Sequence, residues 1–266
     1  MHIELSDIKN SNIPLLYEQA FLHFINFKNL LYYFPTRAPK ENNGVPVPIY
    51  RSRIHSSEKY ITDIDELSYR PAKDVLVFGR VNRPCQSYFY ASGEANTCYD
   101  ELENRINEEL RTKNEIALTT GQWTLKRDLT LCVIPDWNNP NLIQFVQNIE
   151  SFKNLSQINI NLLRGINKLF LSEDENSNIY QVSSAFCNAI LYYAIRQKVN
   201  IDGFLYTSVK NGRGYNLALF PKIINDEEII LTNVVKTYFS RNIKSYFNEA
   251  KNVDMKTKKI VWEKSS

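Results

Sequence analysis

One segment, GRVNRPCQSYFYASGEANTCYDEL (residues 79–102), holds three polar residues that strand packing alone does not require. Arg80 ends a predicted strand, Tyr90 lies ten residues later in the next one, and Glu101 lies within the first two turns of a predicted helix. Together they offer a planar fork of donors, an aromatic face and a carboxylate. If the strands are neighbours and the helix packs over them, the three side chains converge.

Two further segments contain polar residues at unusual places. Ser208 ends the apolar strand of the predicted hairpin GFLYTSVKNGRGYNLALFP. Arg51 and Arg53 lie within a predicted strand near residue 50. Every one of these residues also has an ordinary interpretation. An arginine at a strand end is usually a surface group, Glu101 lies among other helix carboxylates, Tyr90 fits a half-buried core position, and Ser208 fits a turn.

The elements that would position these residues follow from hydrophobic periodicity. Helical spacing predicts helices over residues 13–34, 97–113, 139–154, 156–171 and 183–199. Alternation predicts strands at VPIYRSRI, VLVFGRVN, SYFYAS, EIALTTGQWTL, LTLCVIP, GFLYTSV, NLALFP and EEIILTNVVKTYF. Residues 39–48 are predicted to form a connecting loop, and residues 172–178 an acidic surface loop. The tail from about Tyr246 is polar. Because the pattern is mixed without regular βαβ alternation, the predicted fold class is α+β.

Composition excludes several classes of protein. The 266 residues carry a formal net charge of only +3, without the clustered Lys and Arg expected for nucleic acid or an anionic membrane. Aromatic residues make up 12%, too many for a disordered chain. Four dispersed cysteines without a C-x-x-C pair indicate reduced thiols. With only three histidines, the sequence gives little support for a histidine-based metal site or a Ser-His-Asp triad.

The sequence also predicts a compartment. Its polar start shows no secretory signal, and its most apolar stretch, residues 21–34, is interrupted by polar residues and too short to cross a bilayer. We therefore expect a cytoplasmic, metal-free protein.

The order of these motifs resembles the signature of the RES domain family, named for its Arg, Glu and Ser. Family members contain a G-R-x-N/W-x-P-G-x-x-x-x-Y stretch, a Glu at the start of a helix and a distal D-G-[IF]-x-Y-x-S-V hairpin. The corresponding residues here are GRVNRPCQSYFY, Glu101 and DGFLYTSV, with IYRSRI upstream. The likeness covers roughly residues 47–222. Cys85 stands where a glycine often follows the motif proline, and the insertion between Leu131 and Ile179 is long.

The resemblance implies an ADP-ribosyltransferase-like split β-sheet with NAD bound in its cleft. It predicts an N-terminal helical segment over residues 1–46, the RES domain over 47–222 and a C-terminal extension over 223–266 packed on the same domain. By resemblance the catalytic residues are Arg80, Tyr90, Glu101 and Ser208. NAD would be bound by Arg51, Arg80, Tyr90 and Ser208, with Arg51 and Arg80 as the phosphate candidates.

The activity implied is cleavage of the nicotinamide–ribose bond of NAD, as substrate, by a bacterial toxin of a toxin–antitoxin pair. Transfer of ADP-ribose to a protein and a non-catalytic NAD- or nucleotide-binding module are the alternatives. The candidate protein partners are an antitoxin or immunity protein and a second copy of the chain. No nucleic-acid or membrane partner is expected.

Overall fold

The computed structural model describes residues 16–26, 34–42, 45–173, 177–210, 212–241 and 246–263. The helices are α1 (Leu16–Asn26), α2 (Ala95–Thr112), α3 (Pro140–Ile143), α4 (Glu150–Lys153), α5 (Gln157–Phe170), α6 (Ser177–Arg196) and α7 (Pro221–Asn225). The first strands are β1 (Phe34–Ala38), β2 (Glu41–Asn42), β3 (Val45–Pro46), β4 (Pro48–Ser56), β5 (Phe89–Ser92), β6 (Glu115–Leu125) and β7 (Leu129–Val133). They are followed by β8 (Gly203–Thr207), β9 (Tyr215–Leu219), β10 (Ile229–Ser240), β11 (Tyr246–Asp254) and β12 (Lys259–Trp262).

Helices and a large mixed sheet together confirm the predicted α+β class. The chain divides into two compact units. Unit 1 draws on residues 1–38, 70–88 and 129–220, and unit 2 on residues 39–69, 89–128 and 221–266. The three-segment division predicted from the sequence stays a prediction.

Unit 1 combines strands β1, β7, β8 and β9 with helices α1, α5 and α6. Helix α1 packs on α6 through an edge-to-face contact of Phe24 with Phe186, their ring centroids 5.3 Å apart. Strands β7 and β8 run parallel, with Val133 opposite Leu205. Because parallel strands end at the same edge of a sheet, the residues that follow β7 and β8 come close together.

Unit 2 is built on antiparallel strands in the order β5-β4-β6-β10-β11-β12. Helix α2 packs on this sheet, where Ile106, Ile116 and Leu118 form a buried cluster. Burial of these side chains fixes which face of α2 contacts the sheet, since residues three and four apart lie on one side of a helix. At the chain end, the Trp262 indole donates to the Ile61 carbonyl, 2.8 Å away.

The prediction of a strand at VLVFGRVN is wrong. Residues 75–82 form no strand, and Leu76 and Val77 are exposed. The buried Asn82 amide instead donates to the carbonyls of Val77 and Arg83, 3.4 and 3.2 Å away. Such side-chain bonds offer the backbone an alternative to strand pairing, so the apolar alternation there produces a loop.

Three further predictions need correction. The helix predicted over residues 13–34 is present from 16 to 26, but Phe34 begins strand β1; residues 13–15 and 27–33 lie outside the described residues. The polar tail contains strands β11 and β12, whose alternation is masked by charged residues on exposed positions. Within the predicted acidic loop, Ser177 and Asn178 begin helix α6, and residues 174–176 lie outside the described part.

No helix in the described parts of the chain has the length and apolar character needed to cross a membrane. All four cysteines are free thiols, with Cys85 exposed and the other three buried.

Candidate active site

Arg51 is held inside unit 2 by hydrogen bonds to backbone carbonyls. Its side chain is 9% exposed, and Nε donates to the Ser68 carbonyl over 3.1 Å. Nη1 donates to the carbonyl of Tyr90, and the guanidinium lies 5.3 Å from the centre of the Phe89 ring. An arginine fork with carbonyl partners fixes the backbone segments that it joins, here the start of β5 and the end of the turn at residues 64–67.

Arg53 reinforces the same turn. Residues two apart on a strand share a face, so Arg53 points to the side that Arg51 occupies. Its Nε donates to the Glu66 carbonyl over 3.2 Å and its Nη2 to the Ser68 carbonyl over 3.0 Å. The Ser68 carbonyl therefore accepts from both arginines.

Tyr90 and Glu101 belong to the same unit as Arg51. Tyr90 lies on β5, which pairs with β4 through Ser92 and Tyr50, and its side chain is half-buried. Glu101 is half-buried on helix α2, one turn after the fully buried Thr97. The structure thus joins Arg51 directly to the Tyr90 backbone and places Glu101 on the helix that follows β5.

Burial also shapes the junction of β4 with α2. The Cys98 thiol donates to the carbonyl of Tyr50 across 3.1 Å. Desolvation raises the pKa of this thiol, as burial raises the pKa of the Tyr50 phenol. Both groups therefore stay neutral at pH 7.

Arg80 lies in unit 1, not at a strand end. Its Nη2 and Nη1 donate to the carbonyls of Ser172 and Leu169 over 2.9 and 3.4 Å. The guanidinium also lies 5.3 Å from the centre of the Tyr180 ring. Since the last carbonyls of a helix lack partners within that helix, Arg80 satisfies and electrostatically favours the end of α5.

Ser208 follows strand β8 in unit 1 and is fully buried. Its N–H donates to the Gly214 carbonyl over 3.0 Å, and its own carbonyl accepts from the Gly212 N–H over 3.3 Å. Strand β8 begins at Gly203, where an added Cβ would lie 2.2 Å from the Ala218 carbonyl oxygen. Glycine is therefore required for the close pairing of β8 with β9 that leads to Ser208.

Sequence reasoning missed three buried residues next to Ser208. Asp136, Asn139 and Thr207 are 2%, 0% and 0% exposed and are joined by hydrogen bonds. Asn139-Pro140 gave a signal for a helix start, which the structure confirms. Nothing local indicated that Asp136 and Asn139 contact a residue about seventy positions later.

The family model for the RES domain matches residues 48–232, more than half of the chain and a span that includes all five candidate residues. The chain belongs to the RES domain family. This family is generally linked to NAD-related toxin–antitoxin systems. No curated protein matches the sequence.

The turn of the RES motif survives the replacement of its glycine. Cys85 has a φ of 61°, in the left-handed region that glycine favours. Its N–H donates to the Val75 carbonyl over 2.8 Å, which closes the loop of residues 75–85 that contains Arg80. Cysteine therefore adopts the glycine-like conformation rather than changing the turn.

Unit 2 also has a groove of about 440 Å³. It is lined by residues of β4, α2, β6 and β10, among them Tyr50, Asn96, Tyr99, Gln122 and Thr237. None of the five candidate residues lines it. Glu101 lies about 160° around the helix from Tyr99, because α-helical residues are spaced at 3.6 per turn. We therefore treat this groove as separate from the candidate active site.

Proposed function

We propose that this RES domain protein is a cytoplasmic bacterial toxin that cleaves NAD at the bond between nicotinamide and ribose. The observation that supports this most is the family match over residues 48–232, which contains Arg51, Arg80, Tyr90, Glu101 and Ser208 in the family's order. The geometry adds a rigid connection between Arg51 and Tyr90.

In this reaction the C–N bond to the ribose breaks and its electron pair leaves with the nicotinamide nitrogen. Because the pyridinium ring becomes neutral on leaving, it needs little acid catalysis. The anomeric carbon gains oxocarbenium character, as in glycoside hydrolysis. Water then bonds to that carbon and loses a proton, which yields ADP-ribose.

Glu101 supplies the group that this transition state needs most. Its carboxylate accepts a hydrogen bond from a ribose hydroxyl and stabilises the developing positive charge. Tyr90 supplies an aromatic face on which nicotinamide stacks. By resemblance Arg80 contacts the pyrophosphate and Ser208 a ribose hydroxyl.

The contacts of Arg51 support a role other than phosphate binding. The sequence suggested that it binds phosphate, but its Nε and Nη1 point to the carbonyls of Ser68 and Tyr90. We assign it to holding Tyr90 in place. Such a residue acts on the reaction through the group that it orients.

The deciding experiment is nicotinamide release from NAD by the purified full chain, followed by chromatography. We expect release together with free ADP-ribose, and growth arrest with NAD loss when the chain is expressed in bacteria. An intact NAD pool in both assays, with cell lysate added as a source of acceptors, would overturn the proposal. A mass increase of one ADP-ribose on a lysate protein would replace hydrolysis by transfer.

A binding module is the second candidate, favoured by the complete burial of Ser208 and the near-complete burial of Arg51. In that case the chain binds NAD or a nucleotide without cleaving it and docks an antitoxin. Calorimetric binding of NAD without nicotinamide release would support this alternative.

A further inference from the structure

We propose that Asp136, Asn139 and Thr207, named here the Asp136 brace, position Ser208 for the NAD reaction. All three are buried in unit 1 and follow or end the parallel strands β7 and β8. The Ile134 N–H continues the pairing by donating to the Leu205 carbonyl over 2.8 Å, which brings Asp136 beside Thr207. This inference rests on the proposed function only for the role of Ser208.

The hydrogen bonds of the brace have a fixed direction. The Thr207 hydroxyl donates to Asp136 Oδ2 over 2.8 Å, because a carboxylate can only accept. The hydroxyl oxygen then accepts from Asn139 Nδ2 over 3.2 Å. Asp136 Oδ1 accepts from the Asn138 N–H over 3.0 Å. A hydrogen bond between buried groups is stronger than one on the surface and holds Thr207 firmly.

Asn139 uses both ends of its amide. Its oxygen caps helix α3 by accepting from the N–H groups of Asn141 and Leu142, 3.0 and 3.2 Å away. Its nitrogen donates to Thr207 and, over 3.1 Å, to the Gly214 carbonyl. That carbonyl also accepts from the Ser208 N–H. Asn139 thus ties together the residue before Ser208 and the carbonyl that binds the Ser208 backbone.

A second amide holds the same loop from outside. Asn141 Nδ2 donates to the Arg213 carbonyl over 3.1 Å. Asn139 and Asn141, at the start of α3, therefore fix both ends of the turn after β8. Ser208 is held through Thr207, which precedes it, and through the Gly214 carbonyl, which binds its N–H. Polar groups buried at this density are retained at a cost in desolvation, which is consistent with a need for accurate placement.

The test compares Thr207→Val, which keeps the shape and removes the hydroxyl, with Thr207→Ser, which keeps the hydroxyl. The control is Asp202→Ala, since Asp202 Oδ2 accepts from the Thr130 N–H over 2.8 Å at the opposite end of β8. The measurements are kcat and KM for nicotinamide release, thermal stability, and hydrogen exchange of the peptide spanning residues 208–214.

We expect Thr207→Val to lower kcat by about 10- to 100-fold with little change in KM, because small misplacements near the reacting atoms cost this much. Thr207→Ser should restore kcat, and Asp202→Ala should lose stability while keeping kcat. Exchange in residues 208–214 should speed up in Thr207→Val only.

Unchanged kcat in Thr207→Val, or an equal kcat loss in Asp202→Ala, would overturn the positioning role. If the wild-type chain releases no nicotinamide, the proposed function fails separately. Hydrogen exchange then decides about the brace, and equal exchange rates in Thr207→Val and wild type would refute it.

Discussion

The guanidinium of Arg51 donates a hydrogen bond to the backbone carbonyl of Tyr90. This contact joins β4 to the start of β5 across thirty-nine positions of the chain and fixes the strand that carries the tyrosine. A motif arginine therefore acts here on the backbone of a motif tyrosine.

The first prediction concerns the carboxylate. Glu101→Gln should lower kcat for nicotinamide release by about 10²- to 10³-fold, because loss of a preorganised electrostatic group typically costs this much. The control is Glu103→Gln, an exposed position on the same helix, which should keep full activity. Circular dichroism and thermal melting establish that both variants fold. Undiminished turnover in folded Glu101→Gln would remove Glu101 from the site.

The second prediction uses the carbonyl that Arg51 and Arg53 share. Arg51→Met should lower the free energy of unfolding by about 1.5–3 kcal/mol, the usual contribution of a hydrogen bond to a charged donor. Because either arginine alone still satisfies the Ser68 carbonyl, the double variant with Arg53→Met should cost more than the sum of the single changes. Urea unfolding measures all four corners of the cycle. Strict additivity would show that the shared carbonyl does not couple the arginines.

The third prediction concerns the left-handed residue in the RES turn. Cys85→Gly should stabilise the fold by about 0.5–1 kcal/mol, because the steric cost of a side chain in this conformation exceeds the entropic cost of glycine. Cys85→Ser removes the thiol but keeps the Cβ, so it should give no gain. Equal melting temperatures for the glycine and serine variants would count against strain at this position.

The fourth prediction is a pH dependence from His55. Its Nδ1–H donates to the Ser56 carbonyl over 2.8 Å and its Nε2 accepts from the Thr119 hydroxyl over 2.7 Å, which describes the neutral ring. Burial, with smaller effects from Lys236 and Lys59, lowers the pKa of this imidazole from its ordinary 6.5.

Because the unfolded chain then binds a proton more readily than the folded one, stability is fully present above about pH 6.5 and declines as the pH falls toward the lowered folded-state pKa. His55→Asn should remove part of this decline. His23, whose pKa is also lowered by burial, should contribute in the same direction. Denaturant unfolding between pH 7 and 5 measures both slopes, and parallel slopes for variant and wild type would contradict the assignment.

The fifth prediction separates the groove in unit 2 from the reaction. Asn96→Trp and Thr237→Trp should fill the groove and leave nicotinamide release unchanged, since none of the candidate residues lines it. Loss of release in a variant with an unaltered melting temperature would move the reaction into the groove.

Hydrophobic periodicity was enough to predict the α+β class and several of the long elements. The alternation of EIALTTGQWTL produced β6 over the residues predicted, and the helix predicted over 97–113 is α2. These elements follow from periodicity, which is a property of neighbouring residues. The order of the motifs determined the family. Local patterns failed where a distant or competing contact prevailed, as at Asn82, or where exposed charges concealed strands β11 and β12.

The contacts of the candidate side chains, by contrast, follow from the folded arrangement of the strands. Arg51 faces the Ser68 and Tyr90 carbonyls, and Asp136 and Asn139 stand beside Thr207, because strand pairing brings these residues together. A buried polar atom must find a partner wherever the fold offers one. Its partner therefore depends on long-range strand pairing, such as that of β7 with β8. The spacing of neighbouring residues in the sequence does not reveal such pairing.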